Sequence, residues 1–232
     1  VGADTPEGYG DYFAWGETQT KENYDWSTYQ YCNGSYNTLT KYCTDSDLGY
    51  NGFIDDQTTL LPEDDAAAAN WGNSWRMPTK AEWQELYNNT TVTWTTQNGI
   101  SGRLFTANNG NSIFLPASGY RNGSSLGHAG SYGSYLSSSL DMDNPYLAWI
   151  LGFHSDYHYM HSDYRYFGQS VRPVRSSGQN NAPTGAINGL FTINANGDQV
   201  YFSQGNLQYI GSAVTPYWKF AENQWGYLGS TE

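Results

Sequence analysis

Two helix-start signals lie close together, between residues 62 and 82, and they constrain this chain more than any other feature. Pro62-Glu-Asp-Asp-Ala-Ala-Ala-Ala-Asn70 puts acids in a first turn, follows them with four alanines, and stops at Gly72. Thr79-Lys-Ala-Glu82, with Pro78 ahead of it, is a capping box. It opens a helix through Trp83, Leu86 and Tyr87, whose i, i+3, i+4 spacing predicts one buried face. After Asn89 the chain breaks into short strand-like stretches: Thr91–Thr96, Gly102–Thr106, Ser112–Leu115, Tyr146–Phe153 and Ser170–Val174, with Asn98-Gly99 and Asn109-Gly110 as turns. Two early helices followed by strands, with no βαβ alternation, predict a loop-rich α+β fold of short, twisted antiparallel strands.

Composition says what such a fold is built from. Only 14% of residues are charged, but 17% are aromatic, with 21 Tyr and 9 Trp. That is enough ring surface for a core, and it is not the signature of charge-driven disorder. The polar, aromatic-rich balance matches loop-heavy extracellular domains. The formal net charge is −12, and the ten Lys and Arg residues form no basic run. This argues against nucleic acid and against docking to an anionic membrane. The longest apolar run, Tyr146–Phe153, is short and broken by Gly152, so no insertion into a bilayer is expected. The first residue is Val and no signal peptide is visible, so the chain reads as processed or as a fragment.

Ser176-Ser-Gly-Gln-Asn-Asn-Ala-Pro-Thr-Gly185 has no large apolar residue and reads as a linker. It separates a body, residues 1–175, from a short piece, residues 186–232. In that piece Gly189–Ile193 and Gln199–Ser203 alternate around Asn194-Ala-Asn-Gly-Asp198, a hairpin signal.

Several separated motifs resemble one family. Gly10-Asp-Tyr-Phe-Ala-Trp-Gly-Glu17, Leu61-Pro-Glu-Asp-Asp-Ala-Ala67, Trp71-Gly-Asn-Ser-Trp-Arg-Met-Pro-Thr79 with Glu82-Trp83, Leu115-Pro-Ala-Ser-Gly-Tyr-Arg121 and Gly168-Gln-Ser-Val-Arg-Pro-Val-Arg175 look like the Fibrobacter succinogenes major paralogous domain. The resemblance covers residues 1–175. It implies a C-type-lectin-like fold, shared with formylglycine-generating enzymes and with retroelement-diversified variable proteins, in surface or secreted proteins of gut and rumen bacteria. It also implies that Trp15, Trp71, Trp75 and Trp83 are core residues and that Arg172 and Arg175 make structural ion pairs. Val200–Tyr209 and Trp218–Trp225 resemble the opening of a related unit, and the leading strand usual in the family is missing. The tail strands are therefore expected to fill that sheet position, within the chain or in a neighbour.

The densest unusual segment is His154-Ser-Asp-Tyr-His-Tyr-Met-His-Ser-Asp-Tyr-Arg-Tyr166, in which eleven of thirteen residues are Tyr, His, Ser or Asp. Such a mixture suits a recognition surface: Tyr supplies contact area at low entropic cost, and Ser, Asp and His supply adaptable hydrogen bonds. Tyr157, His158, Tyr159, His161, Asp163, Tyr164 and Tyr166 are the expected ligand-binding face. Tyrosine is thus expected mainly at that face and tryptophan in the core. The residue set is also the one that adenine-directed diversification of Asn codons yields. A near-copy of this DNA beside a reverse transcriptase gene is the corresponding genomic expectation.

Metal readings are weaker. His154, His158 and His161 cluster on a helix but scatter on a strand. Asp47, Asn51 and Asp55 match part of a calcium loop, but Gly49 and Thr58 stand where ligands belong, so an acidic surface loop with an Asn51-Gly52 turn is the plainer reading. Calcium is the single cofactor kept in view. Cys32 and Cys43 enclose ten residues and are either two free thiols or one disulfide closing that loop. No G-x-S-x-G, H-E-x-x-H or P-loop occurs. The expected function is a non-catalytic, adhesin-like domain binding a protein or glycan ligand on another cell or surface. The alternatives are a structural repeat self-associating through residues 186–232 and, behind it, a carbohydrate-active enzyme.

Overall fold

The computed structural model describes residues 1–72 and 74–175 in full, and only the backbone pairing of four short strands beyond them. The chain divides into two units, Val1–Arg175 and Ser176–Glu232. In the second, Phe191–Thr192 pairs antiparallel with Gln199–Val200, as the hairpin signal predicts, and Leu207–Ile210 pairs with Tyr217–Phe220. The linker at 176–185 and the expected role of the tail lie outside the described residues.

The first unit runs β1 (Tyr12–Phe13), α1 (Ala66–Trp71), β2 (Trp75–Arg76), α2 (Lys80–Asn88), β3 (Thr90–Gln97), β4 (Ile100–Ala107), β5 (Ser112–Pro116), β6 (Tyr120–Asn122), β7 (Ser125–Gly127), β8 (Gly133–Leu140), β9 (Leu147–Phe153), β10 (His158–Tyr164), β11 (Gln169–Ser170) and β12 (Val174–Arg175). Helices early, strands late and almost wholly antiparallel pairing make this an α+β fold. α2 starts at its signal, whereas α1 starts later than expected: Pro62–Asp64 forms a short 3-10 turn, the acids precede the helix, and Asp65 is its cap rather than a first-turn residue. Asp65 caps α1 by accepting from Ala67 N (2.8 Å) and Ala68 N (3.1 Å). Thr79 and Glu82 form the capping box of α2, and Arg76 grips both oxygens of Glu82 (2.7 and 2.5 Å). That ion pair with the cap holds the Glu82 carboxyl down to about 2.

The main sheet has the order β1-β11-β8-β9-β10, with one parallel step, β11 on β8. A three-stranded sheet, β3-β4-β5, stands apart from it. Cores form on both faces of the main sheet. One face of β9, with Ala148 and Ile150, joins Phe13, Trp15, Tyr29, Tyr42, Ala67 and Leu136. The other, with Leu151 and Phe153, joins Trp83 of α2, Phe105 of β4 and Leu115 of β5. The strand β8 reads Gly-Ser-Tyr-Leu-Ser-Ser-Ser-Leu and carries no strand signal, yet it is central and nearly all buried. Its pairing with β9 shifts between Leu136 and Leu140. There the buried Ser137 Oγ donates to Trp149 O (2.6 Å) and the half-buried Ser139 Oγ accepts from Lys80 N (3.1 Å), so both hydroxyls are satisfied at an irregularity.

Three expectations need correction. First, tyrosine is a core residue here. Tyr12, Tyr24, Tyr29, Tyr31, Tyr42 and Tyr135 are all buried, and each hydroxyl donates to a named acceptor, such as Ser118 O for Tyr12 (2.6 Å) and Trp15 O for Tyr29 (2.7 Å). A ring fills volume, and its hydroxyl tip reaches backbone carbonyls that an irregular chain leaves open. Among the tryptophans, Trp15 and Trp83 are buried, but Trp71, the last residue of α1, is 46% exposed and packs edge-on against the half-buried Trp75. Second, Arg172 donates to the carbonyls of Phe114 (2.5 Å) and Pro6 (3.4 Å), and Arg175 lies over the Trp75 ring, so among the described residues neither forms an ion pair with a carboxylate. Third, Cys32 and Cys43 are separate free thiols, not a disulfide. Cys32 Sγ donates to Trp26 O and Cys43 Sγ to Asp45 O; Cys32 bridges across to Leu39, whose fully buried side chain stabilises the loop instead.

Candidate functional site

The segment 154–166 is a turn followed by β10, the outer strand of the main sheet. A strand sends alternate side chains to opposite faces, and this divides the seven predicted residues. Register sets Tyr159 opposite Gly152, His161 opposite Ile150 and Asp163 opposite Ala148. His158 pairs with Phe153 and Met160 with Leu151, on the other face. His158 packs edge-on against Tyr87 of α2 and Phe105 of β4, and burial lowers its pKa. It is therefore a wall of the second core and leaves the predicted face. The histidine triple is divided by the same geometry.

Tyr157, Tyr159 and Asp163 line one cleft of about 520 Å³. Its other side comes from residues that sequence reading passed over: Tyr120 of β6, His128 and Tyr132. Two ring pairs meet there. Tyr120 stacks on His128 (5.6 Å), and Tyr157 lies 5.1 Å from Tyr159. Tyr132 links them, edge-on to Tyr120 at 6.1 Å and hydrogen-bonded to Tyr159. Burial and that bond both raise the Tyr132 pKa.

Gly152 makes this arrangement possible. A Cβ there would stand 2.6 Å from both Tyr132 Oη and His161 Cε1. Its missing side chain lets two rings approach the sheet edge. Arg103 of β4 holds the adjoining turn: its guanidinium is buried and donates to His154 O (3.0 and 2.8 Å) and Ser155 O (3.1 Å).

Two polar groups on this face lack the partners that buried groups normally have. His161 stacks on Tyr159 (4.7 Å), and its Nδ1 is buried with no hydrogen bond; burial lowers its pKa. Asp163 accepts one hydrogen bond, from Tyr164 N (2.8 Å), and burial pushes its carboxyl up to about 6. The buried carboxylates Asp64 and Asp65 are better served. Asp65 takes three backbone N–H bonds, and Asp64 takes Lys41, Tyr31 and Tyr42.

Tyr164 and Tyr166 belong to a different aromatic group. They stack on each other at 5.5 Å, beside Trp26, and Tyr164 also approaches Tyr146. Between them Arg165 turns inward and is fully buried. It donates to Tyr29 Oη, Tyr42 O, Pro145 O and Lys41 O at 2.8–3.0 Å, with Trp15 4.8 Å from the guanidinium carbon. The segment read as pure surface thus contains a core arginine and a half-buried histidine packed against the second core.

The calcium candidates are occupied otherwise. Asp55 accepts from Tyr42 N (2.7 Å), Cys43 N (3.1 Å) and Gln57 N (3.2 Å). Asp47 is exposed, and Asn51, at φ 54°, forms a turn with Gly52. Among the described residues no group of three or more His, Cys, Asp or Glu side chains is gathered in a way that could hold a metal ion.

No curated protein and no solved structure matches the chain. Residues 88–174, less than half of it, match the model of a domain of unknown function, DUF8237, and every residue lining the cleft lies within that stretch.

Proposed function

We propose that residues 1–175 are a C-type-lectin-like, non-catalytic recognition domain that acts outside the cell or at its surface. Its ligand, a protein or a glycan on another surface, is held in the cleft between Tyr157-Tyr159 and Tyr120-His128. One observation carries this reading: the cleft combines clustered tyrosines with Asp163, a half-buried carboxylate that accepts a single backbone hydrogen bond, and behind Tyr159 lies His161, whose buried Nδ1 has no partner. Groups left so are costly for folding alone and are of use when a ligand completes them. Tyrosine, histidine and aspartate on a rigid sheet edge supply the low-entropy contacts and directional bonds of a paratope. The motifs shared with the Fibrobacter paralogous domain support the same placement.

The test is binding of the full chain to immobilised glycans and to intact bacterial and epithelial surfaces. Wild type is expected to be retained by a subset of these. The Tyr157→Ala/Tyr159→Ala double variant is expected to lose at least about tenfold in affinity, since each ring is a large share of the contact area, with an unchanged melting temperature. Equal retention of the double variant, or no retention of wild type by any surface, overturns the proposal.

A further inference from the structure

We propose that the cleft binds an organic cation, an ammonium or guanidinium headgroup. The inference rests on the recognition reading above and names its ligand chemistry. Three observations converge. The lining contains tyrosines 120, 132, 157 and 159, one carboxylate, Asp163, and neither Lys nor Arg. Aromatic faces attract cations through the ring quadrupole, more strongly when the site is partly desolvated. Asp163 is half-buried and accepts one hydrogen bond, from the backbone of the next residue, and among the described residues no Lys or Arg forms an ion pair with it. Arg103, which holds the turn before β10, is committed to the His154 and Ser155 carbonyls.

Charge complementarity extends beyond the cleft. The chain carries a net charge of −12, so its long-range field draws cations and repels anionic ligands. A neutral ligand needs neither the field nor the carboxylate. The cation completes the counter-charge that Asp163 lacks and keeps its carboxyl ionised inside the cleft. The Asp163 carboxylate acts electrostatically on Tyr132 and Tyr166, and His161 lies two residues before it on the same strand. In their neutral forms none supplies a positive charge.

The test titrates the full chain with acetylated trimethyllysine methylamide, its neutral tert-butyl isostere, acetylarginine amide, free choline and a methyl hexoside, read by NMR shifts and calorimetry. The expected result is saturable binding of the cations, with the isostere at least about tenfold weaker. Asp163→Asn is expected to bring the cation down to the level of the isostere while the variant stays folded. Choline binding as tightly as the peptide-borne headgroup identifies a free small cation as the ligand; tighter binding of the peptide-borne form identifies a side chain of a partner protein. Equal binding of cation and isostere, or unchanged binding by Asp163→Asn, overturns the inference. Hexoside binding lost in Tyr159→Ala, without selectivity for cations, also overturns it and leaves the recognition cleft standing. Absence of saturable cation binding in the millimolar range overturns it as well, and surface retention of the chain then tests the cleft separately.

Discussion

Two tyrosine-rich regions share the main sheet and follow opposite rules. Around Arg165 the rings of Tyr29, Tyr31 and Tyr42 are buried, and every hydroxyl and guanidinium nitrogen named there reaches an acceptor. Around Asp163, two residues earlier, the rings of Tyr132, Tyr157 and Tyr159 are open on one side, and a carboxylate and an imidazole are left short. The same amino acid builds architecture in one place and a cleft in the other. What separates them is completion of hydrogen bonding, because a fold that leaves buried groups unpaired sacrifices stability.

The largest way to break the comparison is Arg165→Leu. Removing a fully buried guanidinium leaves the carbonyls of Lys41, Tyr42 and Pro145 unmet, at a cost of about 3–5 kcal/mol. Urea unfolding measures this, and a loss under about 1 kcal/mol contradicts the keystone role.

Asp163→Asn has the opposite sign. With its folded pKa near 6, against 3.8 for the ordinary carboxyl, the group carries no ionisation penalty below about pH 4, where both folded and unfolded forms are protonated. The penalty grows as pH rises and is complete above about pH 6, on the order of 2–3 kcal/mol. The amide variant is expected to be more stable than wild type at pH 7.5 and to lose that advantage at pH 4. A stability difference independent of pH would falsify the assignment.

Arg103→Leu tests the border of the two regions. It removes three hydrogen bonds to the turn before β10, for about 2 kcal/mol, and loosens Tyr157 relative to Tyr120. Amide exchange at residues 154–157 should accelerate more than exchange in β8; uniform acceleration contradicts a local role. The smallest effect is none at all. Reductant should leave the melting temperature unchanged, since Cys32 and Cys43 are free thiols and the core around Arg165 needs no crosslink. A fall on reduction would show that a disulfide holds that region.

Local signals predicted local structure well. The capping box at Thr79–Glu82 acts over three residues, so α2 stands where it was read, while α1 begins only after Asp65, which caps it, because Pro62–Asp64 turns as a 3-10 segment first. β3, β4, β5 and β9 fall on the stretches read as strands. β8 was illegible because its serines are buried by neighbours distant in sequence, Pro78, Lys80 and Trp149 among them. The site was half legible. Tyr157, Tyr159 and Asp163 stand out in the chain, whereas Tyr120, His128 and Tyr132 carry no local signal and reach the cleft through tertiary folding.

By itself the sequence determined the α+β class, the capped start of α2 and the polar segment 154–166, because each depends on neighbours a few positions away. Tertiary structure alone decided which tyrosines are core, that His158 and Arg165 turn inward, that the cysteines stay apart, and that Asp163 lacks a counter-charge. Those outcomes depend on which side chains meet across strands far apart in the chain, and on Gly152 leaving room for two rings. No local pattern of residues encodes such meetings.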